Sequence, residues 1–208
     1  KSTMLKIASG VISPDGGEIS VAGEDISMSS PSDARGLGIE TVYQDLALAD
    51  DRSAVGNVFM GRELLKSGPL GLLGVLDRRA MEEKVTEEFE RLGVPVNDPR
   101  RPVREFSGGQ RQGIALARAA MWAKTTVLLD EPTAALGVRQ RAMVHNLMNG
   151  LRSRGLAVLL ISHDVPEVLR IADTVSVMRL GRCIATRPAK EVDTRWCVGA
   201  IVGELDDV

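Results

Sequence analysis

The 208-residue sequence has no surplus of basic charge, since 28 Asp and Glu outnumber 26 Lys and Arg and leave a formal net charge of −2. Holding nucleic acid over a broad surface takes clustered Lys and Arg to neutralise phosphates, so no nucleic-acid partner is expected. Cysteine is nearly absent. Cys183 and Cys197 are too few for a disulfide framework and lack the Cys/His clustering of a zinc site; they suit a reducing cytosol as buried or incidental thiols. Long apolar runs are missing too. The most apolar stretch, "SGPLGLLGVL" from Ser67 to Leu76, is broken by Pro and Gly and is far short of the roughly 20 residues that span a bilayer. Any membrane role therefore runs through a partner. No secretory signal is legible at the start, although a fragment would lose one, and there is no internal repeat or low-complexity tract.

What is present is the composition of an ordinary globular domain, 44% hydrophobic and 26% charged, long enough for one large domain with a subsidiary lobe. "GGEISVAGEDI" (Gly16 to Ile26) alternates apolar and polar residues around Ala22-Gly23, which predicts a hairpin or bend. "GIETVYQD" is a second short β-prone run. From Leu46 to Phe106 the pattern becomes helical, with Met81, Val85, Phe89 and Leu92 on one stripe, Glu87 and Arg91 as an i,i+4 pair, and Gly93 as the stop. The Pro/Gly-rich stretch around Pro69 reads as a loop. Beyond Gln110, "TTVLLDE" and "LAVLLISHD" are continuous apolar strands separated by a helix carrying Val144, Leu147, Met148 and Leu151. Such strands indicate a parallel sheet covered on both faces. "TVSVMRLGRCIATR" reads as an edge hairpin turning at Leu180-Gly181. The predicted class is α/β, with residues 1–46 and 110–208 as core and 47–109 as an inserted helical lobe.

In open α/β sheets ligands bind at the carboxyl ends of the strands, and two strands here end in polar residues: Asp130-Glu131 and Ser162-His163-Asp164. The chain opens on "KSTMLK", which reads like the end of a phosphate loop, G-x-x-x-x-G-K-[ST], turning into its helix. These are the parts of phosphoryl-transfer chemistry. Lys1 would contact the β- and γ-phosphates, while the Ser2 hydroxyl and Asp130 would hold Mg²⁺ directly or through water. Glu131 would polarise an attacking water, and His163 would contact the γ-phosphate and that water. Each alone is weak, because Asp-Glu after a strand is usually a solvated end and a single His usually satisfies local hydrogen bonds. "FSGGQRQGIALARAA" adds a helix opened by Ser107, Gly108 and Gly109, with free backbone N–H groups open to an anion. A plain helix cap would explain that stretch by itself, but not the closely following "VLLDEPTAAL".

In this order the motifs resemble the nucleotide-binding subunit of an ABC transporter, from the latter half of Walker A almost to the end of the cassette. "KST" is similar to the end of Walker A, Gln44 in "VYQDLAL" to the Q-loop, "FSGGQ" to the signature, "VLLDEP" to Walker B, "AALG" to the D-loop region and "LLISHD" to the H-loop. The resemblance implies a P-loop fold with a helical signature subdomain, ATP as substrate and Mg²⁺ as cofactor. Lys1, Ser2, Thr3, Gln44, Asp130, Glu131 and His163 would serve the nucleotide bound in cis, Gln44 helping both to hold Mg²⁺ and to catalyse. Ser107, Gly108, Gly109 and Gln110 would bind ATP held by a second cassette in a head-to-tail pair. The family's permease docks beside the helical lobe, which points to Val55 to Glu63. "VYQDLALADDRSAVGNVFMGRE" resembles the ATPases of bacterial ribose, xylose and fructose importers, implying a periplasmic sugar-binding protein as indirect partner and a peripheral place on the cytoplasmic face of the inner membrane.

Three departures from the family pattern stand out. Phe106 replaces the commoner Leu before the signature. Gly137 replaces the D-loop Asp that helps couple the two sites. The Walker A glycines and the adenine-stacking aromatic are not in the sequence, and Tyr43 reads as a strand aromatic rather than a substitute. The rival readings are a soluble ABC-type ATPase of nucleic-acid repair or translation, and a non-catalytic remnant that binds ATP poorly because the glycine loop is missing.

Overall fold

The computed structural model describes residues 1–134 and 136–204. A short helix, α1 (Ser2–Ala8), precedes an antiparallel hairpin of β1 (Ile19–Val21) and β2 (Glu24–Ile26), paired Val21 opposite Glu24. Ala22 and Gly23 turn it with φ of 54° and 84°, the two successive positive values whose twist suits flanking strands. Helix α2 (Pro31–Gly36) follows, opened by a capping box in which Ser30 and Asp33 satisfy each other's backbone N–H groups.

Three parallel strands form the central sheet: β3 (Ile39–Val42), β4 (Thr126–Asp130) and β5 (Ala157–Ile161), in the order β3-β4-β5. Successive side chains of β4 point to opposite faces, and both faces are covered. On one, Leu128 joins Ile39, Ile161 and the fully buried Leu5 of α1. On the other, Val127 and Leu129 join Val42, Ile114 and Val144. Leu5 is what fixes α1 to the sheet, and truncating such a residue to Ala costs about 2–5 kcal/mol.

Between β3 and β4 the regular elements are helical: α3 (Ala54–Val58), α4 (Pro69–Leu72), α5 (Arg78–Leu92) and α6 (Gly108–Trp122). Here the structure corrects two details. The Pro69 region is a short helix, not a loop, with Pro69 at its first turn between Gly68 and Gly74, both at positive φ. Arg91 pairs with Glu88 rather than Glu87, because Glu88 is buried and also receives Arg154 at 3.0 Å. The expected boundary between 109 and 110 falls inside the first turn of α6, which begins at Gly108 because Ser107 is its N-cap. The helical stretch also shares its core with the sheet, Val58, Phe59, Val85 and Phe89 belonging to the cluster that contains Val42 and Leu129.

After β4 come α7 (Val138–Ser153), with Val144, Leu147, Met148 and Leu151 buried, and α8 (Val165–Ile171) beyond β5. The hairpin of β6 (Thr174–Arg179) and β7 (Arg182–Pro188) turns at Leu180 and Gly181 with φ of 48° and 81°, and α9 (Thr194–Val202) closes the described chain. The hairpin is a separate two-stranded sheet and does not extend the edge of β3-β4-β5. A cavity of about 580 Å³ separates β5 from β6, lined by Leu159, Ile161, Val175, Val177 and Cys197. Among the described residues no helix is long and apolar enough to cross a membrane.

Candidate functional site

The three parallel strands deliver their polar ends side by side. Val42 pairs with Leu129, and Asp130 pairs with Ile161. Gln44, Asp130-Glu131 and Ser162-His163 thus leave the sheet at one carboxyl edge. The Glu131 backbone N–H donates to the Ile161 carbonyl at 2.9 Å. Its side chain turns to His163, with Oε2 2.8 Å from Nδ1. A carboxylate only accepts, so Nδ1 carries the proton and Nε2 stays free. The Glu131 side chain is 17% exposed and that of His163 76%: the acid is largely enclosed by protein while the imidazole faces solvent. Glu131 also has φ of +51°, a left-handed conformation that costs a non-glycine residue about 1–2 kcal/mol. Such strain persists where neighbouring structure enforces it.

Helix α1 brings in the opening residues. It packs on β4, with Lys1 as an N-cap that makes no side-chain capping bond. Lys1, Ser2 and Thr3 are exposed, so the donors of the first turn and the Lys1 ammonium are accessible. Lys1 and Ser162 lie together on the rim of the apolar cavity, whereas Asp130, Glu131 and His163 are not part of its lining. The cavity is therefore a neighbour of the polar edge and not its pocket. Tyr43 is half-buried and donates its hydroxyl to Ser9 Oγ at 3.1 Å, the role of a strand aromatic.

The opening of α6 is a second polar feature. The Ser107 hydroxyl accepts from Gln110 N at 3.3 Å and Gln110 Oε1 accepts from Ser107 N at 3.0 Å, while Gln110 Nε2 donates to the Pro95 carbonyl at 2.7 Å. The Gln110 side chain and its backbone N–H are thereby both engaged within their own chain. The two glycines differ. A Cβ on Gly108 would meet nothing within 4 Å, so this peptide admits close approach from outside; a Cβ on Gly109 would lie 2.5 Å from Gln140 Cγ on α7, so this glycine is required for packing. The same Gln140 reaches Gly137, the N-cap of α7, which makes no side-chain capping bond. Ser107 to Gln110 make no hydrogen bond to the Glu131–His163 edge among the described residues, so the two features stand apart within one chain.

Several residues that sequence reasoning passed over shape this edge. Arg118 of α6 donates through its fork to the carbonyls of Ala47 and Leu46, both at 2.9 Å, tying the segment after Gln44 to the helix that Ser107 opens. Burial pushes the Arg118 guanidinium's pKa down, partly offset by Glu40. Asn57, fully buried, donates to the carbonyls of Ala49, Arg52 and Ser53 and accepts from Ala49 N at 2.7 Å. Its neighbours narrow the expected docking stretch: Val55, Asn57, Val58 and Phe59 are buried in the core, and Met60, Gly61 and Glu63 are exposed. Arg62 lies 4.9 Å over the Trp122 ring and pairs with Glu40 at 2.5 Å. An isolated Arg, Asn or Glu in a sequence carries no signal of such partners.

Comparison with known proteins identifies the family. Residues 1–134 match the family profile described as ABC transporter. The chain is 43% identical over 205 residues to the fructose import ATP-binding protein FrcA of Rhizobium meliloti, covering 98% of this chain and 79% of that protein. It is 37% identical to the xylose/arabinose import ATP-binding protein XylG of Sulfolobus acidocaldarius, covering 93% and 74%. A ribose import ATP-binding protein of Rubrobacter xylanophilus is 39% identical, and there the chain spans only 41% of the longer protein. Among solved structures, the ATP-binding cassette MJ1267 of an ABC transporter superposes with a TM-score of 0.80 at 25% identity, over 96% of this chain and 82% of that one. CbiO1 of Clostridium perfringens, part of an ABC transporter complex, gives 0.74 at 25% over 95% and 76%. With the polar strand ends, the glycine-opened helix and these likenesses together, the chain belongs to the ABC transporter family as an ATP-binding cassette.

Proposed function

We propose that this chain is the ATP-hydrolysing subunit of an importer for a simple sugar, driving uptake through partner permease subunits. The observation that carries the reading is the 43% identity to a fructose import ATP-binding protein over nearly the whole chain, beside the Glu131–His163 pair at this chain's sheet edge. Glu131 is the base that takes a proton from the attacking water, and the hydrogen bond it receives from His163 Nδ1 orients the imidazole so that the unprotonated Nε2 accepts from the water beside the terminal phosphate. Lys1 and the first-turn N–H groups of α1 bind phosphate oxygens. Ser107 and the open Gly108 peptide engage ATP on a second cassette.

The donors fit a magnesium ion. Ser2, Gln44 and Asp130 offer hydroxyl, amide and carboxylate oxygens, and among the described residues no group of three or more acids, His or Cys forms a dedicated metal cage. Few protein ligands with the remaining positions left to water and phosphate is the usual Mg²⁺ pattern. When bound, the ion would neutralise charge developing on the phosphates.

Residues 47–109 form the subdomain that carries the signature, and the exposed Met60 to Glu63 are the permease contact. The protein works at the cytoplasmic face of the membrane. Purification of the native protein in mild detergent tests the reading: membrane permease subunits are expected to copurify, and copurification of ribosomes or DNA instead would overturn it.

A further inference from the structure

Behind the Glu131–His163 edge lies a polar chain that the hydrolytic reading does not use. Thr133 is 5% exposed, His145 8% and Glu167 6%. The Thr133 hydroxyl donates to Glu167 Oε2 at 2.6 Å, and Glu167 Oε1 lies 2.6 Å from His145 Nε2. On the other side of the ring, Arg170 Nη2 is 2.8 Å from His145 Nδ1. Arginine only donates, so Nδ1 accepts and Nε2–H is the donor to Glu167. One tautomer of His145 is thereby selected, and the Glu167 carboxylate receives two donors, one from each side.

The connectivity gives this carboxylate a place in the site. Thr133 is two residues after Glu131, in the turn where Ala134 N bonds back to the Glu131 carbonyl at 3.1 Å. Glu167 lies in the first turn of α8, whose N-cap Asp164 follows His163 and accepts from Glu167 N at 3.1 Å. The ladder between β4 and β5 ends with Asp130 opposite Ile161 and the Glu131 N–H on the Ile161 carbonyl. Past that point the two chains diverge, and the buried Thr133–Glu167 bond rejoins them. Arg141 adds an outer tie, donating to Asp164 Oδ2 and to the Leu136 carbonyl, both at 3.1 Å, but this pair is more than one-third exposed on the Arg141 side and weaker for it. Glu131 lies within the bridged segment with its left-handed φ, a conformation that needs such enforcement.

We infer that Glu167 is a positioning residue for the hydrolytic pair: by holding Thr133 on one side and the His145 imidazole on the other, it fixes the strained Glu131 turn against the helix that follows His163. The inference rests on the reading of Glu131 and His163 as the hydrolytic pair. Glu167→Ala removes both acceptors. Glu167→Gln keeps the geometry, since its amide oxygen accepts from His145 and its NH₂ donates to the Thr133 oxygen. Thr133→Val cuts only the link to the turn and leaves Glu167 on His145.

Two readouts separate positioning from mere support of the fold. The sequence has two histidines, so imidazole ¹⁵N spectra of the 208-residue chain are simple, and loss of signals in His163→Gln assigns them. In the unmodified protein His163 is expected as the Nδ1–H tautomer; in Glu167→Ala and Thr133→Val it moves to the mixture of a free imidazole, and in Glu167→Gln it stays. In the native protein, ATP turnover by the first two variants falls about 10- to 100-fold in kcat with KM for ATP little changed, as expected of a small misplacement of catalytic groups, and Glu167→Gln restores most of it. If Glu167→Ala melts cooperatively with its His163 tautomer and kcat unaltered, the inference is wrong. If that variant does not fold, Thr133→Val decides by the same criteria. Absence of Glu131-dependent turnover in the unmodified protein would sink the hydrolytic reading, while the tautomer measurement still decides whether Glu167 holds the pair.

Discussion

Replacing Arg118 by Met tests how the segment after Gln44 is held. The change keeps an unbranched stem against α6 and removes the fork that donates to Leu46 and Ala47. Hydrogen bonds from a charged donor contribute about 1.5–3 kcal/mol each net, and relief of the buried guanidinium's desolvation offsets part of the loss. Ala47 has φ of 48°, which costs about 1–2 kcal/mol, and without Arg118 it relaxes. The balance is a loss of about 2 kcal/mol, which for a chain of this size lowers Tm by about 4–8 °C. Calorimetry measures that drop, and hydrogen exchange shows where it arises, in amides 44–48. Arg118→Lys keeps charge but cannot present two parallel donors to two carbonyls, so it falls between. A Met variant as stable as the unmodified protein, or a Lys variant indistinguishable from it, would refute the reasoning.

The two glycines that open α6 are expected to separate on substitution. Gly109→Ala meets Gln140 Cγ at 2.5 Å and loses about 1–3 kcal/mol by overpacking, read by urea denaturation; Gly108→Ala melts like the unmodified protein yet weakens ATP-dependent pairing, read by light scattering. The thiols divide similarly: Cys183 is exposed, whereas Cys197 is buried and burial pushes its thiol pKa up. Brief iodoacetamide treatment at pH 8 should therefore alkylate Cys183 alone by mass spectrometry.

Much of this architecture is legible because it rests on local rules. The apolar strands ending in Asp130-Glu131 and Ser162-His163 announce a parallel sheet with its site at one edge, and Met81, Val85 and Phe89 face the core as their spacing dictates. Both predicted turns, Ala22-Gly23 and Leu180-Gly181, take the positive φ values that close hairpins. What escaped depends on contacts distant in sequence. Arg91 had two acids within reach along its helix, and burial of Glu88 beside Arg154 decided between them. Glu167 looks like any polar residue in the first turn of a helix; its link to Thr133 spans 34 positions and is visible only once α8 is folded onto the turn after β4. The Gln110 side chain bonds to Ser107 and, 15 positions away, to the Pro95 carbonyl, a partner that the motif does not announce.

The most direct measurement is steady-state ATP turnover by the native protein and its Glu131→Gln variant. Removing a general base costs about 10²–10⁴ in rate. The predicted result is a fall of that size in kcat with ATP binding retained, and equal turnover by both proteins would contradict the assignment of hydrolysis to the Glu131–His163 edge.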